Sequence, residues 1–157
     1  MFYTLIDQAE LRNKLIDRVD VLNKVKELFL IPKLEMMSLS MVADFYEVDE
    51  PAVKMCWNRH RDELKPDGVT LCPISFLKEQ HVTLEQIGTK PLWRFYVNGV
   101  ENKISNRGIT CFSPRAVLRV GMLLRDSEVA KEVRTKMYRF FTYKMIWVCL
   151  EMTGLDY

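Results

Sequence analysis

The chain has only two histidines and four cysteines, and no CxxC pair, so no recognisable zinc spacing exists. Cys56, Cys72, Cys111 and Cys149 are scattered and read as free thiols buried in a core, which suits a reducing compartment. Also missing are a glycine-rich phosphate loop, an HExxH or GxSxG motif and any metal-spaced carboxylate cluster. His60 stands between Arg59 and Arg61, with Asp62 and Glu63 next, but sequence neighbours point to different faces of a helix. No catalytic residue, metal ligand or cofactor is assigned, and the chain is not expected to be an enzyme. The N-terminus lacks a basic-then-apolar leader, and no uncharged apolar run is long enough to cross a bilayer. A cytoplasmic protein without a membrane partner is the expectation.

Present instead is ordinary core-forming material: 157 residues, 48% of them hydrophobic and 28% charged, suit one domain or one plus an appended element. Charge is unevenly placed. Residues 89–144 hold twelve Lys and Arg against four Asp and Glu, while the rest of the chain holds eleven against seventeen. The basic half suits phosphate contacts, which dominate nucleic-acid affinity, or merely a solvated basic face.

The sharpest pattern is SLSMVADFYEVDEPAVKMCWNRHRDELK, residues 38–65. Val42, Ala43 and Tyr46 share one helical face, Val48 follows, and Val53 and Cys56 recur at helical spacing. Asp49 suits an N-cap and Pro51 an early helical position. The spacing predicts two helices joined by a tight turn, the apolar skeleton of a helix-turn-helix. An ordinary buried helix pair has the same skeleton. With Glu47 in place of a turn glycine, and six acidic against four basic side chains, the segment attracts DNA weakly by itself. If it does read DNA, Lys54, Met55 and Asn58 face the groove, and Arg59 and Arg61 reach the backbone.

Around it, residues 4–30 predict one amphipathic helix ended by Pro32, and Pro66-Asp67-Gly68 predicts a turn. Residues 69–72 predict a short strand, 74–80 a helical piece, and Thr83-Leu84-Glu85-Gln86 a helix start. Across 92–112 the alternation of Trp93, Phe95 and Val97 with Arg94, Tyr96 and Asn98, and the Asn98-Gly99 turn, predict a hairpin or a small three-stranded sheet ending in 109–112. Its Arg94, Lys103 and Arg107 suit either a DNA-contacting wing or charges that guard a sheet edge. Ser113-Pro114 opens a helix whose buried stripe is Ala116, Val117, Val120, Leu123 and Leu124, with Arg115, Arg119 and Arg125 projecting elsewhere. After Asp126-Ser127-Glu128 a last helix runs over 128–152, with its apolar end crowded by Phe140, Phe141, Met145, Trp147, Val148 and Leu150. That end either packs in the core or pairs with a second copy. The fold class is α+β, mainly helical, with a helix-turn-helix, a β-hairpin wing and C-terminal helices. The boundary between the DNA-binding region and the hairpin-plus-helix region falls at 70/71, with both packed as one unit.

Three stretches carry a resemblance: VLNKVKELFLIPKLEMMSLSMVADFYEVDEPAVK, RHRDEL with Asp67-Gly68 behind it, and RGITCFSPRAVLRVGMLLRDSEVAKEVR. Together, about two thirds of the chain resembles small DNA-binding regulators of phages and prophages, of the antirepressor type related to the Rha and BRO/KilA groups. The resemblance implies an N-terminal region that binds double-stranded DNA, followed by a regulatory unit, in a homodimeric transcription regulator. Many such proteins continue into a further C-terminal domain beyond where this chain stops, so DNA binding is implied more directly than antirepressor activity. The alternative is a protein-interaction module that engages a host or phage protein, as an antirepressor or an inhibitor of host defence.

Overall fold

A computed structural model describes the backbone of residues 5–153, with side chains through 139 and that of 142. The first expectation to change is the long N-terminal helix. Two short helices stand there, α1 (Ala9–Leu15) and α2 (Asp20–Val25). Between them the Arg18, Val21 and Leu22 N–H groups each bond three residues back, which tightens and bends the chain. The bend lets Leu15, Ile16, Val21 and Leu22 all enter the core, which a straight helix could not achieve with one stripe. The chain turns extended at Lys26, well before Pro32.

After strand β1 (Met37–Ser38), helix α3 (Leu39–Tyr46) begins at Ser38, whose hydroxyl accepts from the Met41 N–H at 3.2 Å. Glu47 ends α3 in the left-handed region (φ 55°), and Val48 and Asp49 lead into α4 (Glu50–Arg59). Asp49 occupies the N-cap position without a side-chain bond, and Pro51 lies in the first turn. Tyr46, Val53 and Cys56 are buried between the elements as their spacing requires. Glu47 carries a Cβ where glycine is favoured, and its one ion pair among the described residues is an exposed contact with Lys26 at 3.8 Å. Glu47→Gly should therefore raise stability by about 0.5–1 kcal/mol. A lower urea midpoint in that variant would show that the Lys26 contact outweighs the backbone relief.

Helix α5 (Arg61–Gly68) corrects the turn expected at Pro66-Asp67-Gly68: these residues are its last turn. Arginines from elsewhere hold Asp67 there, and the chain leaves only at Gly68 (φ 117°), where a Cβ would meet the Ser113 hydroxyl at 2.6 Å. Strand β2 (Val69–Cys72) and helix α6 (Ile74–Glu79) follow as expected. Thr83-Leu84-Glu85-Gln86 starts no helix; Glu85–Gln86 is strand β3.

The hairpin forms as its alternation indicates, with β4 (Leu92–Val97) paired to β5 (Val100–Ser105) around Asn98 (φ 48°) and Gly99 (φ 80°). Its third strand is β3, paired with β4, and not the expected 109–112 segment. That segment is β6 (Ile109–Phe112), which leaves the hairpin to sit between β1 and β2 in a separate antiparallel sheet. Cys111 and Phe112 are fully buried there, and pairing on both sides satisfies the backbone around them.

Helix α7 (Pro114–Leu123) starts on Ser113, whose hydroxyl accepts from the Ala116 N–H at 3.2 Å. It is buried from Ala116 to Leu123, Arg119 included. Helix α8 (Glu128–Thr153) is capped by Ser127, which accepts from the Ala130 N–H and donates to the Tyr46 carbonyl. Tyr46 donates to the Val117 carbonyl at 2.6 Å, joining the end of α3 to α7. The fold is α+β, with eight helices and two three-stranded antiparallel sheets among the described residues. Its hydrophobic core draws on both sides of the 70/71 boundary, from Leu5 to Met137. Among the described residues, no helix is long and apolar enough to cross a membrane. The apolar end of the last helix, from Phe140 to Leu150, lies outside the described side chains.

Candidate functional site

Helix α4 sinks Val53 and Cys56 into the core and leaves Lys54, Met55, Asn58 and Arg59 exposed. Met55 is 49% exposed, a large apolar side chain on the outer face of the helix. Arg61, expected further along the same helix, instead begins α5 after a break at His60; it donates to the Asn58 Oδ1 at 2.9 Å and stacks 5.1 Å over the Trp57 ring. Five of the sequence-predicted contact residues thus share one exposed surface. Among the described residues, the Lys54 and Arg59 side chains have no hydrogen-bond or ion-pair partner. At the helix start, Glu50 accepts from the Ser40 hydroxyl at 2.6 Å and faces a groove of about 510 Å³ that Lys103 and Thr110 also line.

The hairpin residues part company. Lys103 and Arg107 are exposed, and neither side chain has an ion-pair partner among the described residues. Arg94 lies opposite Lys103 in the sheet but is held by Glu85, at 3.0 and 3.2 Å. That contact lowers the Glu85 carboxyl and raises the Arg94 guanidinium from their ordinary values, chiefly through the hydrogen bond. The hairpin does not stand free. The buried Asn102 on β5 accepts from the Ser38 hydroxyl at the start of α3 and donates to the Val100 carbonyl at 3.1 Å.

Most of the basic surplus serves the interior or pairs at the surface. Arg119, expected on an outer face, is buried with Asp67; their side chains are 4% and 3% exposed. Its guanidinium also donates to Asn13 at 2.7 Å and to Glu63 at 3.1 Å. Arg115 bridges Asp67 and Asp17, and Arg12 donates to Glu63 and to the Leu5 and Ile6 carbonyls. The hydrogen bond from Arg12 holds the Glu63 carboxyl below its usual range, against the opposing pull of burial. Buried Arg134 donates to the Gly121 and Leu124 carbonyls at the end of α7. The acidic excess of the first part of the chain and the basic excess of the second thus meet across the seam of α1, α5 and α7. One sequence signal pointed to this seam: an arginine inside a helix as apolar as VLRVGMLL stays buried only where an acid or a set of carbonyls receives it.

The described cysteines are buried free thiols. Burial pushes Cys56 and Cys111 up to about 12 and raises Cys72, so at neutral pH they are protonated core side chains. No protein-family model, no curated protein and no solved structure matches this chain.

Proposed function

We propose that this chain is a sequence-specific DNA-binding transcription regulator of the phage or prophage type, with α3 and α4 as its helix-turn-helix. The supporting observation is the helix, short turn and second helix whose exposed face carries Lys54, Met55, Asn58 and Arg59 together. In this reading Lys54 reads guanine and Asn58 pairs with adenine after Arg61 releases its Oδ1 for a phosphate contact. Lys103 and Arg107 on the hairpin supply backbone contacts, as a wing does. A homodimer presents two such helices to a two-fold site, and the apolar stretch from Phe140 to Leu150 motivates it.

Selection of duplexes from a random pool by the full chain at physiological salt tests the reading, which expects a two-fold-symmetric site. Lys54→Ala or Asn58→Ala should then cost about 1–3 kcal/mol on that site and relax one base preference each. Unchanged preference in both variants would remove α4 as the reading element.

The salt dependence separates the hairpin residues. Neutralising Lys103 and Arg107 together should reduce the log–log salt slope by about two, while adding Arg94→Gln should leave it there, because Glu85 already occupies Arg94. A further fall with Arg94→Gln would place that residue on phosphate after all.

The second reading is a protein-interaction module, and the paired state of most arginines favours it, since few cations are left to draw DNA. It expects no duplex enrichment and no salt-dependent shift in the same selection.

A further inference from the structure

Along the flank of α4, facing the corner between α7 and α8, runs a cleft of about 320 Å³. Its apolar wall is formed by Val48, Ala52 and Met55 on one side and Leu123 and Leu124 on the other. The protonated Cys56 thiol adds to that wall and offers no nucleophile. Arg59, His60 and Arg125 also line it, with Asp126 as the opposing charge. The Arg59 side chain has no hydrogen-bond or ion-pair partner among the described residues. Arg125 reaches Asp7 only at 3.8 Å with both side chains well exposed, a contact of the kind worth little.

A largely apolar slot of this size, whose lining also carries two arginines, has the form of a small-molecule pocket, for which volumes of about 300–1,000 Å³ are usual. It is too small for a partner helix, which is roughly 10 Å across. The groove beside Met37, Met41 and Phe45 lacks such a handle, because Lys26 there already donates to the Asp44 and Phe45 carbonyls.

We propose that the cleft between α4 and the α7–α8 corner binds a small amphipathic carboxylate, its apolar body on Met55, Leu123 and Leu124 and its anionic head between Arg59 and Arg125. Arginine forks match carboxylates in a paired geometry that a neutral head group cannot use. Met55 and Arg59 belong both to this cleft and to the exposed face of α4, so an occupied cleft withdraws two groups from any partner of that face. Competition with DNA rests on the DNA-binding reading; binding of the carboxylate does not.

Octanoate titrated into the full chain labelled with methyl-13C methionine tests the site directly. The Met55 methyl signal should shift saturably, while those of Met37 and Met41 stay in place. Octanol, with the same chain and no anion, should bind about tenfold more weakly or worse. The double variant Arg59→Gln, Arg125→Gln should lose a similar factor for octanoate and none for octanol, with an unchanged thermal midpoint, since both side chains are exposed. An unmoved Met55 signal at millimolar octanoate, equal affinity for octanol, or full octanoate affinity in the double variant would each overturn the proposal. Octanoate that binds as expected yet fails to release a selected duplex upholds the site and removes only the competition.

Discussion

Replacing Arg119 by methionine should destabilise the protein by about 3 kcal/mol, at the lower end of what breaking a buried ion pair costs. The guanidinium donates to both Asp67 oxygens, to Asn13 and to Glu63, and its removal leaves the Asp67 carboxylate 3% exposed. Among the described residues only Arg115 then remains beside the Asp67 carboxylate, at 3.2 Å and itself about half exposed. The double variant Arg119→Met, Asp67→Leu should recover most of the loss, because removing both charges spares the desolvation cost of each. Urea unfolding of the two variants decides this. A single variant within 1 kcal/mol of wild type would mean that the seam contributes nothing specific, and a double variant no better than the single would show that the loss does not come from the stranded Asp67 carboxylate.

The same seam sets an acid limb. Arg12 holds the Glu63 carboxyl below its ordinary range in the folded protein. Its contribution is therefore complete above the unfolded value of about 4.3 and is lost as pH falls through the lower folded value. Thermal midpoints should decline over that acidic window, and the decline should be shallower in Glu63→Gln. An identical acid limb in that variant would assign the decline to other carboxylates.

Gly121→Ala should destabilise by about 2 kcal/mol, opposite in sign to the helix preference that favours alanine by about 1 kcal/mol. Gly121 lies inside α7, and a Cβ there would stand 3.0 Å from the Tyr46 Cζ and closer still to its hydroxyl. Tyr46 cannot step aside. It is fully buried, donates to Val117, and packs edge-on against Phe45 with centroids 5.0 Å apart. Its own carbonyl accepts from Ser127, the cap of α8, so a displaced Tyr46 disturbs three helices at once. Combining Gly121→Ala with Tyr46→Leu should cost clearly less than the sum of the single changes, because the smaller side chain makes room. A more stable Gly121→Ala would show that the helix contact yields without strain.

Much of the local structure was legible because its signals act over four residues or fewer. Ser113-Pro114 opened a helix, Asn98-Gly99 closed a hairpin, and the apolar spacing over 38–59 laid out α3 and α4. For the same reason the exposed positions Lys54, Met55, Asn58 and Arg59 followed from helical period alone.

Pairing between distant segments carries no such local mark. Which strand completes the hairpin sheet depends on where β6 finds two neighbours, and β1 and β2 offer both sides, whereas the hairpin offers one edge. The N-terminal helix bends because its two apolar stripes must reach one core. The last turn of α5 persists because arginines about fifty residues away hold Asp67. The sequence by itself determined α3, α7, the hairpin and the face that α4 presents, since each depends on neighbours along the chain. Only the tertiary structure decided where the basic surplus goes: a buried charge must find acceptors wherever the chain brings them, and here Arg119 found acids inside the protein, Arg134 found helix carbonyls, and Arg94 and Arg115 found acids nearer the surface.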